Sequence, residues 1–349
     1  MNSRIKTSYA FEDVLLTPQY SNIKSRSEII LGQNLIRDNL RVEFPVISSP
    51  MDTVTESKMI KTMAGFGGIG IAHRYCSIED QCKMISIESM PKNYNAGAAV
   101  GVTGDYLERS QALLHAGFNI LCIDVAHGHH DLTGTALDRL RRSLGDDVHI
   151  MAGNVATPEG LRYLADRGAN TIRVGIGGGS ICSTRIQTGH GIPTLQSVVD
   201  CFPIAESLGV DIVADGGIQN SGDIVKALAA GASLVMLGSL LSGTDDTPGN
   251  LIQQSTGAFK EYRGMASAKA QREWRGKVGS REGVVSLVPY KGTTQGILED
   301  LEAGIRSGLS YSGSRTLCEL SAKASFILQT PAGQKESNTH VYSKGLRSE

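Results

Sequence analysis

The residues with the most chemical content lie in Val174-Gly175-Ile176-Gly177-Gly178-Gly179-Ser180-Ile181-Cys182-Ser183-Thr184-Arg185. Four glycines in five residues are followed by a cysteine and two hydroxyl side chains. Glycines at that density let a backbone approach a ligand closely. Turning backbone N–H groups and the neighbouring Arg185 supply positive potential, which favours a thiolate nucleophile at Cys182. A lone cysteine in a glycine-rich turn is ordinarily structural. Cys182 is read as a nucleophile because other short apolar runs end in the same way. Ser49-Pro50-Met51-Asp52, His73-Arg74, Asp124-Val125-Ala126-His127-Gly128, Gly153-Asn154, Asp215-Gly216-Gly217 and Gly238-Ser239 each follow one.

Those apolar runs fall at 46–49, 68–72, 98–102, 120–125, 149–153, 171–174, 211–214 and 234–237. Helix-like stretches lie between most of them, at 56–64, 105–116, 132–144, 158–166, 194–208 and 221–230. Pro158 and Pro193 suit first helical turns, and Gly117, Gly168, Gly209 and Gly231 suit helix ends. Short β-rich runs alternating with helices imply parallel strands joined by crossover helices. Eight such units predict a (β/α)8 barrel, whose chemistry sits on the loops after the strands. The two late strand ends, Asp215-Gly216-Gly217 and Gly238-Ser239, fit the usual barrel position for a phosphate held by backbone N–H groups.

The barrel is expected to take up the whole chain, 1–349, as a single domain. Residues 1–40 would form an irregular cover with short hairpin strands, 262–292 a flexible flap, and 331–349 a polar tail after a final helix over 294–307. The flap carries Lys269, Arg272, Arg275, Lys277 and Arg281, with the only tryptophan, Trp274. A charged, glycine-containing loop of that length is commonly a solvated lid. Its cations point to an anionic ligand. The net charge of −1 argues against nucleic-acid or membrane-surface binding. No run approaches the ~18 apolar residues of a membrane span, and Met1-Asn2-Ser3-Arg4-Ile5-Lys6 lacks the apolar stretch expected of a signal peptide. Six scattered cysteines without CxxC or zinc spacing fit a reducing, cytoplasmic setting. His127, His129 and His130 lack the convergent carboxylates that a metal reading would need.

Several stretches together resemble the IMP dehydrogenase / GMP reductase family along nearly the whole chain. They are Phe11-Glu12-Asp13-Val14-Leu15-Leu16, Met51-Asp52-Thr53-Val54-Thr55-Glu56, Ile123-Asp124-Val125-Ala126-His127-Gly128, Ala152-Gly153-Asn154 and the Cys182 loop. Ala214-Asp215-Gly216-Gly217, Val235-Met236-Leu237-Gly238-Ser239, Tyr262-Arg263-Gly264-Met265 and Val288-Pro289-Tyr290-Lys291-Gly292 continue the likeness. The resemblance implies a purine nucleoside monophosphate (GMP or IMP) stacked beside a nicotinamide cofactor, and a homotetramer. It implies that Cys182 attacks carbon 2 of the purine and that Thr184 positions the small attacking or leaving molecule. Asp215 would hold the ribose hydroxyls. Ser180, Gly217, Gly238, Ser239 and Tyr262 would hold the phosphate. Met51, Gly264 and Met265 would border the base, and Asp124, His127 and Asn154 the cofactor. Carbonyls of Gly177, Gly179 and Cys182 would offer a potassium site, completed by a tail segment like Glu336-Ser337 of a neighbouring subunit.

Both activities of the family proceed through the same cysteine-linked purine, so other features must separate them. The dehydrogenase usually carries an inserted regulatory module and a long flap with an Arg-Tyr pair that activates water. Here His73-Arg74 leads within a short span to residue 98, and no Arg-Tyr dipeptide occurs between Met265 and Pro289. The reductase instead uses a loop threonine and a flap glutamate on the departing amine, positions that Thr184 and Glu282 match. Arg272, Arg275 and Lys277 suit the 2′-phosphate of NADPH. The expectation is therefore an NADPH-dependent GMP reductase, with an NAD-dependent IMP dehydrogenase as the alternative and a non-catalytic nucleotide-binding protein as the second. The 215–231 and 243–249 segments look more like the dehydrogenase. Gly178 stands where both groups usually have proline, and Ser183 where threonine is usual, which predicts a looser loop.

Overall fold

The computed structural model describes residues 5–337. Eight parallel strands close into a barrel, and each matches one of the apolar runs. They are β1 (Val46–Ser48), β2 (Ile69–Ala72), β3 (Ala96–Val100), β4 (Ile120–Asp124), β5 (His149–Val155), β6 (Thr171–Val174), β7 (Asp211–Asp215) and β8 (Leu234–Leu237). All eight pair in chain order, and β8 closes on β1 through Val235↔Val46 and Leu237↔Ser48. The third strand begins two residues earlier than the run at 98–102. Its small residues Ala96 and Gly97 are drawn into the ladder opposite Gly70 and Ile71. Gly97 has no room for a side chain, because a methyl there would sit 2.3 Å from Ile71 Cδ1.

Helices cover the outside. Ser57–Gly65, Tyr106–Ala116, Asp131–Leu144, Pro158–Ala165, Thr194–Leu208 and Ser221–Ala229 follow their strands, and Ile78–Cys82 makes the short second crossover. Pro158 opens its helix under a Thr157 cap, where the missing N–H costs nothing. The helix expected to be the final one runs from Thr294 to Tyr311, longer than expected, because its buried Leu298, Leu301, Ile305 and Leu309 keep the helical period through to the end, and two short helices, Leu317–Lys323 and Pro331–Glu336, follow it.

Strand positions two apart share a face, so the barrel interior is built in layers. Its middle is apolar, with Ile47, Ile71, Ala99, Cys122, Met151, Val213 and Met236 in one buried cluster. Towards the strand starts, Leu35 and Val42 of the Gln33–Asn34/Arg41–Val42 hairpin join this cluster and plug the lower end. Burying each is worth ~1.5–3 kcal/mol. The plug is also pinned by polar groups. Asp38 accepts from His149 Nδ1 at 2.5 Å, and Asp211 accepts the Ile36 N–H at 2.6 Å. The N-terminal cover thus has a defined function in closing the barrel floor.

Two long-range features have no local signal. Val14–Leu16 pairs antiparallel with Phe326–Leu328 from the far end of the chain. The expected flap is framed by a three-stranded antiparallel sheet, Ile252–Gln254, Gly257–Arg263 and Val285–Pro289, with helix Ala268–Arg275 between the last two strands. It is therefore an ordered excursion rather than a loop throughout. Helix Pro331–Glu336 opens the polar tail, and the remainder of 331–349 beyond Ser337 lies outside the described residues.

Candidate active site

At the C-terminal ends of the strands a cavity of about 490 Å3 is lined by the β1 loop, the Cys182 loop, Asp215 and Gly216, and the flap. A register shift between Gly153 and Val155 in β5 puts an extra residue at the rim. Bulges of this kind re-aim a side chain, and Asn154 turns inward to donate to Asp215 Oδ2 at 2.7 Å and to the Gly175 carbonyl at 2.9 Å.

The floor is a charge network that sequence reasoning missed. Arg173, nearly fully buried on β6, donates to Asp124 at 2.8 Å, to Asp215 at 2.9 Å and towards Cys122 Sγ at 3.4 Å. Burial opposes ionisation of Asp124, but Arg173 and Arg74 outweigh it and hold the carboxyl below the usual range. Burial pushes the Cys122 thiol up to about 11, so it lies neutral against the guanidinium. One signal could have revealed this hub. An arginine in the middle of a buried apolar strand needs buried carboxylates beside it, and Asp215 ends the strand after β6 while Asp124 ends the strand two before it.

The catalytic candidates converge from two segments, the cysteine loop and the flap. Cys182 Sγ donates to Thr184 Oγ1 at 3.2 Å, and Thr184 Oγ1 donates to Glu282 Oε2 at 2.9 Å. The flap is zipped to the cysteine loop by backbone. Ser183 N–H donates to the Glu282 carbonyl at 3.1 Å, and Val284 N–H to the Ile181 carbonyl at 3.0 Å. Ser183 Oγ adds a bond to the Arg281 carbonyl at 3.0 Å. Arg185 does not reach the sulfur by any hydrogen bond among the described residues. It donates to the Ile192 carbonyl at 2.8 Å and braces the loop. A methyl at Gly178 would lie 2.6 Å from Thr194 Oγ1, so the Thr194 side chain packs close against this glycine. Gly216, at φ +90°, lets the β7 turn touch the Gly179 amide.

On the opposite wall, Met265 Sδ accepts the Asp52 N–H at 3.4 Å, which brings Met51 and Met265 to the same side of the cavity. Gly238 meets that wall. A methyl on it would sit 2.9 Å from the Tyr262 hydroxyl, 3.2 Å from Ser49 Oγ and 3.4 Å from Met51 Sδ. Burial pushes the Tyr262 hydroxyl up, while a hydrogen bond with Ser180 works the other way. Gly264 lines the cavity. Gly217 and Ser239, on the turns after β7 and β8, are not among the residues that line the cavity.

The cofactor-side candidates divide. Asp124 and Asn154 line the cavity, whereas His127 is exposed and packs against His129 at 6.4 Å. Arg272 and Lys277 are exposed on the flap and have no ion-pair partner among the described residues; the side chain of Arg275 lies outside them. The structure adds lining residues that were given no role from the sequence: Ser49 and Arg74 at their strand ends, and Tyr75, Gln271 and Ser280. Of the carbonyls proposed for potassium, that of Gly179 accepts the Cys182 N–H at 3.0 Å. Ser337 Oγ, following Glu336, donates to Gln329 Oε1 at 2.9 Å. No cluster of three metal-ligating side chains occurs among the described residues.

Four buried side-chain polar atoms lack a hydrogen-bond partner among the described residues, and three of them, Ser49 Oγ, Arg74 Nε (which keeps a 3.7 Å ion-pair contact with Asp124) and Arg173 Nε, belong to residues that line this cavity. Buried polar groups are rarely left unpaired. Their concentration here fits a ligand rich in oxygen.

Residues 8–340 match the sequence model of the IMP dehydrogenase / GMP reductase domain, and the chain belongs to that family of purine-metabolism oxidoreductases, which use NAD(P)H. An inosine-5'-monophosphate dehydrogenase of Cryptosporidium parvum is 36% identical over 382 aligned positions, covering 95% of this chain and 94% of that protein. A GMP reductase of Leishmania major is 33% identical over 477 positions, covering 96% and 97%. A crystal structure of a cysteine-to-alanine variant of GMP reductase from Trypanosoma brucei, in complex with guanosine 5'-monophosphate, superposes with a TM-score of 0.91 at 31% identity, covering 97% and 98%. The two alignment lengths run opposite to expectation. The reductase spans 477 positions and the dehydrogenase 382, so the missing insertion in this chain does not separate the activities.

No helix among the described residues is long and apolar enough to cross a membrane.

Proposed function

We propose that the protein is an NADPH-dependent GMP reductase, converting GMP to IMP and ammonia. The observation that carries this reading is the continuous relay from Cys182 Sγ through Thr184 Oγ1 to the flap carboxylate Glu282, with links of 3.2 and 2.9 Å. A thiol is a stronger nucleophile once its proton has somewhere to go, and the hydroxyl between sulfur and carboxylate provides the path. Cys182 Sγ bonds to carbon 2 of the guanine while Glu282 takes the thiol proton through Thr184. The same proton returns through Thr184 to the 2-amino group, which leaves as ammonia. A nicotinamide cofactor bound beside the base would supply a hydride to carbon 2, after which Cys182 Sγ leaves carbon 2 as the thiolate and IMP is released.

The other residues hold the substrate. Asp215, fixed by Arg173 and Asn154, presents a carboxylate to the ribose hydroxyls. Ser180, Gly217, Gly238, Ser239 and Tyr262 surround the phosphate, and Met51, Gly264 and Met265 border the base. Asp124, His127 and Asn154 would hold the cofactor, with Arg272, Arg275 and Lys277 for its 2′-phosphate. The carbonyls of Gly177, Gly179 and Cys182 remain the proposed potassium site, and a homotetramer the proposed assembly.

The IMP dehydrogenase reading is kept because the same thiol serves it, and a relative of that name is as similar as the reductases. The deciding measurement is nicotinamide absorbance in two directions. Loss of NADPH with GMP supports the reductase. Gain of NADH with IMP, NAD and potassium would replace it with the dehydrogenase. Nucleotide binding with no absorbance change in either direction would leave a binding protein.

A further inference from the structure

Lys291 follows the last flap strand and lies far in sequence from the turn after β8, yet it grips that turn. Its Nζ donates to the Ser239 carbonyl at 2.5 Å and to the Leu240 carbonyl at 3.3 Å. Its backbone N–H donates to the Gly243 carbonyl at 2.9 Å, and the Asp245 N–H returns to the Gly292 carbonyl at 2.9 Å. The far side of the same loop is held by a second amine. Lys260 Nζ donates to the Thr247 carbonyl at 2.7 Å.

The peptide groups of the turn are thereby oriented. In a trans peptide the C=O of one residue and the N–H of the next point in opposite directions. Drawing the Ser239 carbonyl towards Lys291 turns the Leu240 N–H the other way. Among the described residues neither the Ser239 nor the Leu240 N–H finds an acceptor, while the Leu241 and Ser242 N–H groups both close back on the Gly238 carbonyl at 3.2 and 2.9 Å. The turn starts at Gly238, in contact with the Tyr262 hydroxyl and the unpartnered Ser49 hydroxyl, both of which line the cavity.

We propose that Lys291 is a positioning residue for the nucleotide phosphate: its ammonium anchors the 238–241 turn by two carbonyls, so that the unpaired Leu240 amide, beside the unpaired Ser239 amide, is presented to the phosphate. The proposal rests on reading the cavity as a purine nucleotide site. Lys291 itself does not touch the substrate. It acts through the Ser239–Leu240 peptide, and its charge polarises that peptide towards a better donor.

The experiment measures GMP and guanosine binding to the full-length wild type and to Lys291→Met, Lys291→Gln and Lys291→Arg, with KM and kcat alongside. Removing the anchor should weaken GMP binding ~10–100-fold, the scale of one to two charge-assisted hydrogen bonds. Guanosine affinity and kcat at saturating GMP should stay near wild type. Lys291→Arg should recover most of the loss, and Lys291→Gln, which keeps a donor without the charge, should fall between. An equal loss for GMP and guanosine would overturn the proposal, as would a fall in kcat with KM unchanged. If Lys291→Met does not fold, the order of the Gln and Arg variants decides, and equal GMP affinity in both with wild type overturns it. A wild type that binds neither GMP nor IMP refutes the nucleotide reading instead, a separate outcome from GMP binding that ignores Lys291.

Discussion

Replacing Thr184 with valine tests the relay most directly. Valine keeps the branched shape and removes the one atom that both accepts from Cys182 Sγ and donates to Glu282 Oε2. Thr184 is half-buried, and the carboxylate it leaves can still reach water, so the fold should lose little. The chemical loss should be large. The thiol proton then has no route to the carboxylate, and the departing amine has no proton source in reach. General acid–base assistance is worth ~10²–10⁴-fold, or ~2.7–5.4 kcal/mol of barrier at 1.36 kcal/mol per decade. Turnover of GMP and NADPH, followed by nicotinamide absorbance and by released ammonia, should fall by that factor. The dissociation constant for GMP should stay within about threefold, under 1 kcal/mol.

The double variant sharpens the test. If thiol, hydroxyl and carboxylate act as one unit, Thr184→Val combined with Glu282→Gln should be little worse than either alone, as with residues that function only together. Fully multiplicative losses would show that the two side chains act separately. A Thr184→Val enzyme within about threefold of wild-type turnover would remove the relay from the mechanism, because that is under 1 kcal/mol of barrier.

Three other perturbations follow from the geometry. Arg173→Met leaves Asp124 and Asp215 facing each other without their shared cation; since both carboxylates keep some solvent, the loss should sit near the lower end of the ~3–5 kcal/mol for a broken buried pair, and a urea-melt change under ~1 kcal/mol would refute the hub. Asp124, held low in the fold, contributes stability that is present above the unfolded carboxylate value and is lost as pH falls through the folded one; wild-type stability should therefore drop steeply below about pH 4, and Arg173→Met should show a shallower acid limb. Glu273→Ala removes the 2.6 Å bond from Arg263 to the flap helix, next to the Trp274–Tyr75 stack at 5.8 Å; with one partner half-exposed the bond is worth ~0.2–1 kcal/mol, and Trp274 emission should shift red as the helix loosens, whereas an unchanged spectrum would mean that other contacts hold it.

The barrel was legible because its strands are buried on both faces and read as short apolar runs, with polar and glycine residues just beyond each. The third strand slipped because 96–102 is uniformly small and apolar, so nothing local marks its start; only pairing with Gly70 does. The pairing of Val14–Leu16 with Phe326–Leu328 and the plug contact of Asp38 with His149 join segments far apart in sequence, which no local periodicity encodes. Most nominated site residues do gather at one end of the barrel. Arg173 was passed over because it lies inside an apolar run, and Lys291 because its partners are carbonyls, which leave no trace in side-chain type.

The relay also constrains when the chemistry can happen. Its acid comes from the flap and its nucleophile from the β6 loop, 98 residues away for the Thr184–Glu282 link. Three further bonds, from Ser183 N–H, Ser183 Oγ and Val284 N–H, stitch the same two segments together. At ~0.5–1.5 kcal/mol net for each hydrogen bond, losing the stitching would cost more than the relay bond itself returns. Glu282 is therefore in place only while the flap is docked, and the docked flap also covers the cavity through Ala266, Gln271, Gly279 and Ser280. In this arrangement the flap both holds the acid at the relay and covers the site. Ser183→Ala, which removes one stitch without touching sulfur, hydroxyl or carboxylate, should lower kcat a few-fold, as expected for the loss of ~0.5–1.5 kcal/mol of docking. It should do so with GMP binding unchanged. If GMP binding falls while kcat holds, the stitch serves the substrate loop alone, and flap docking is not what positions the acid.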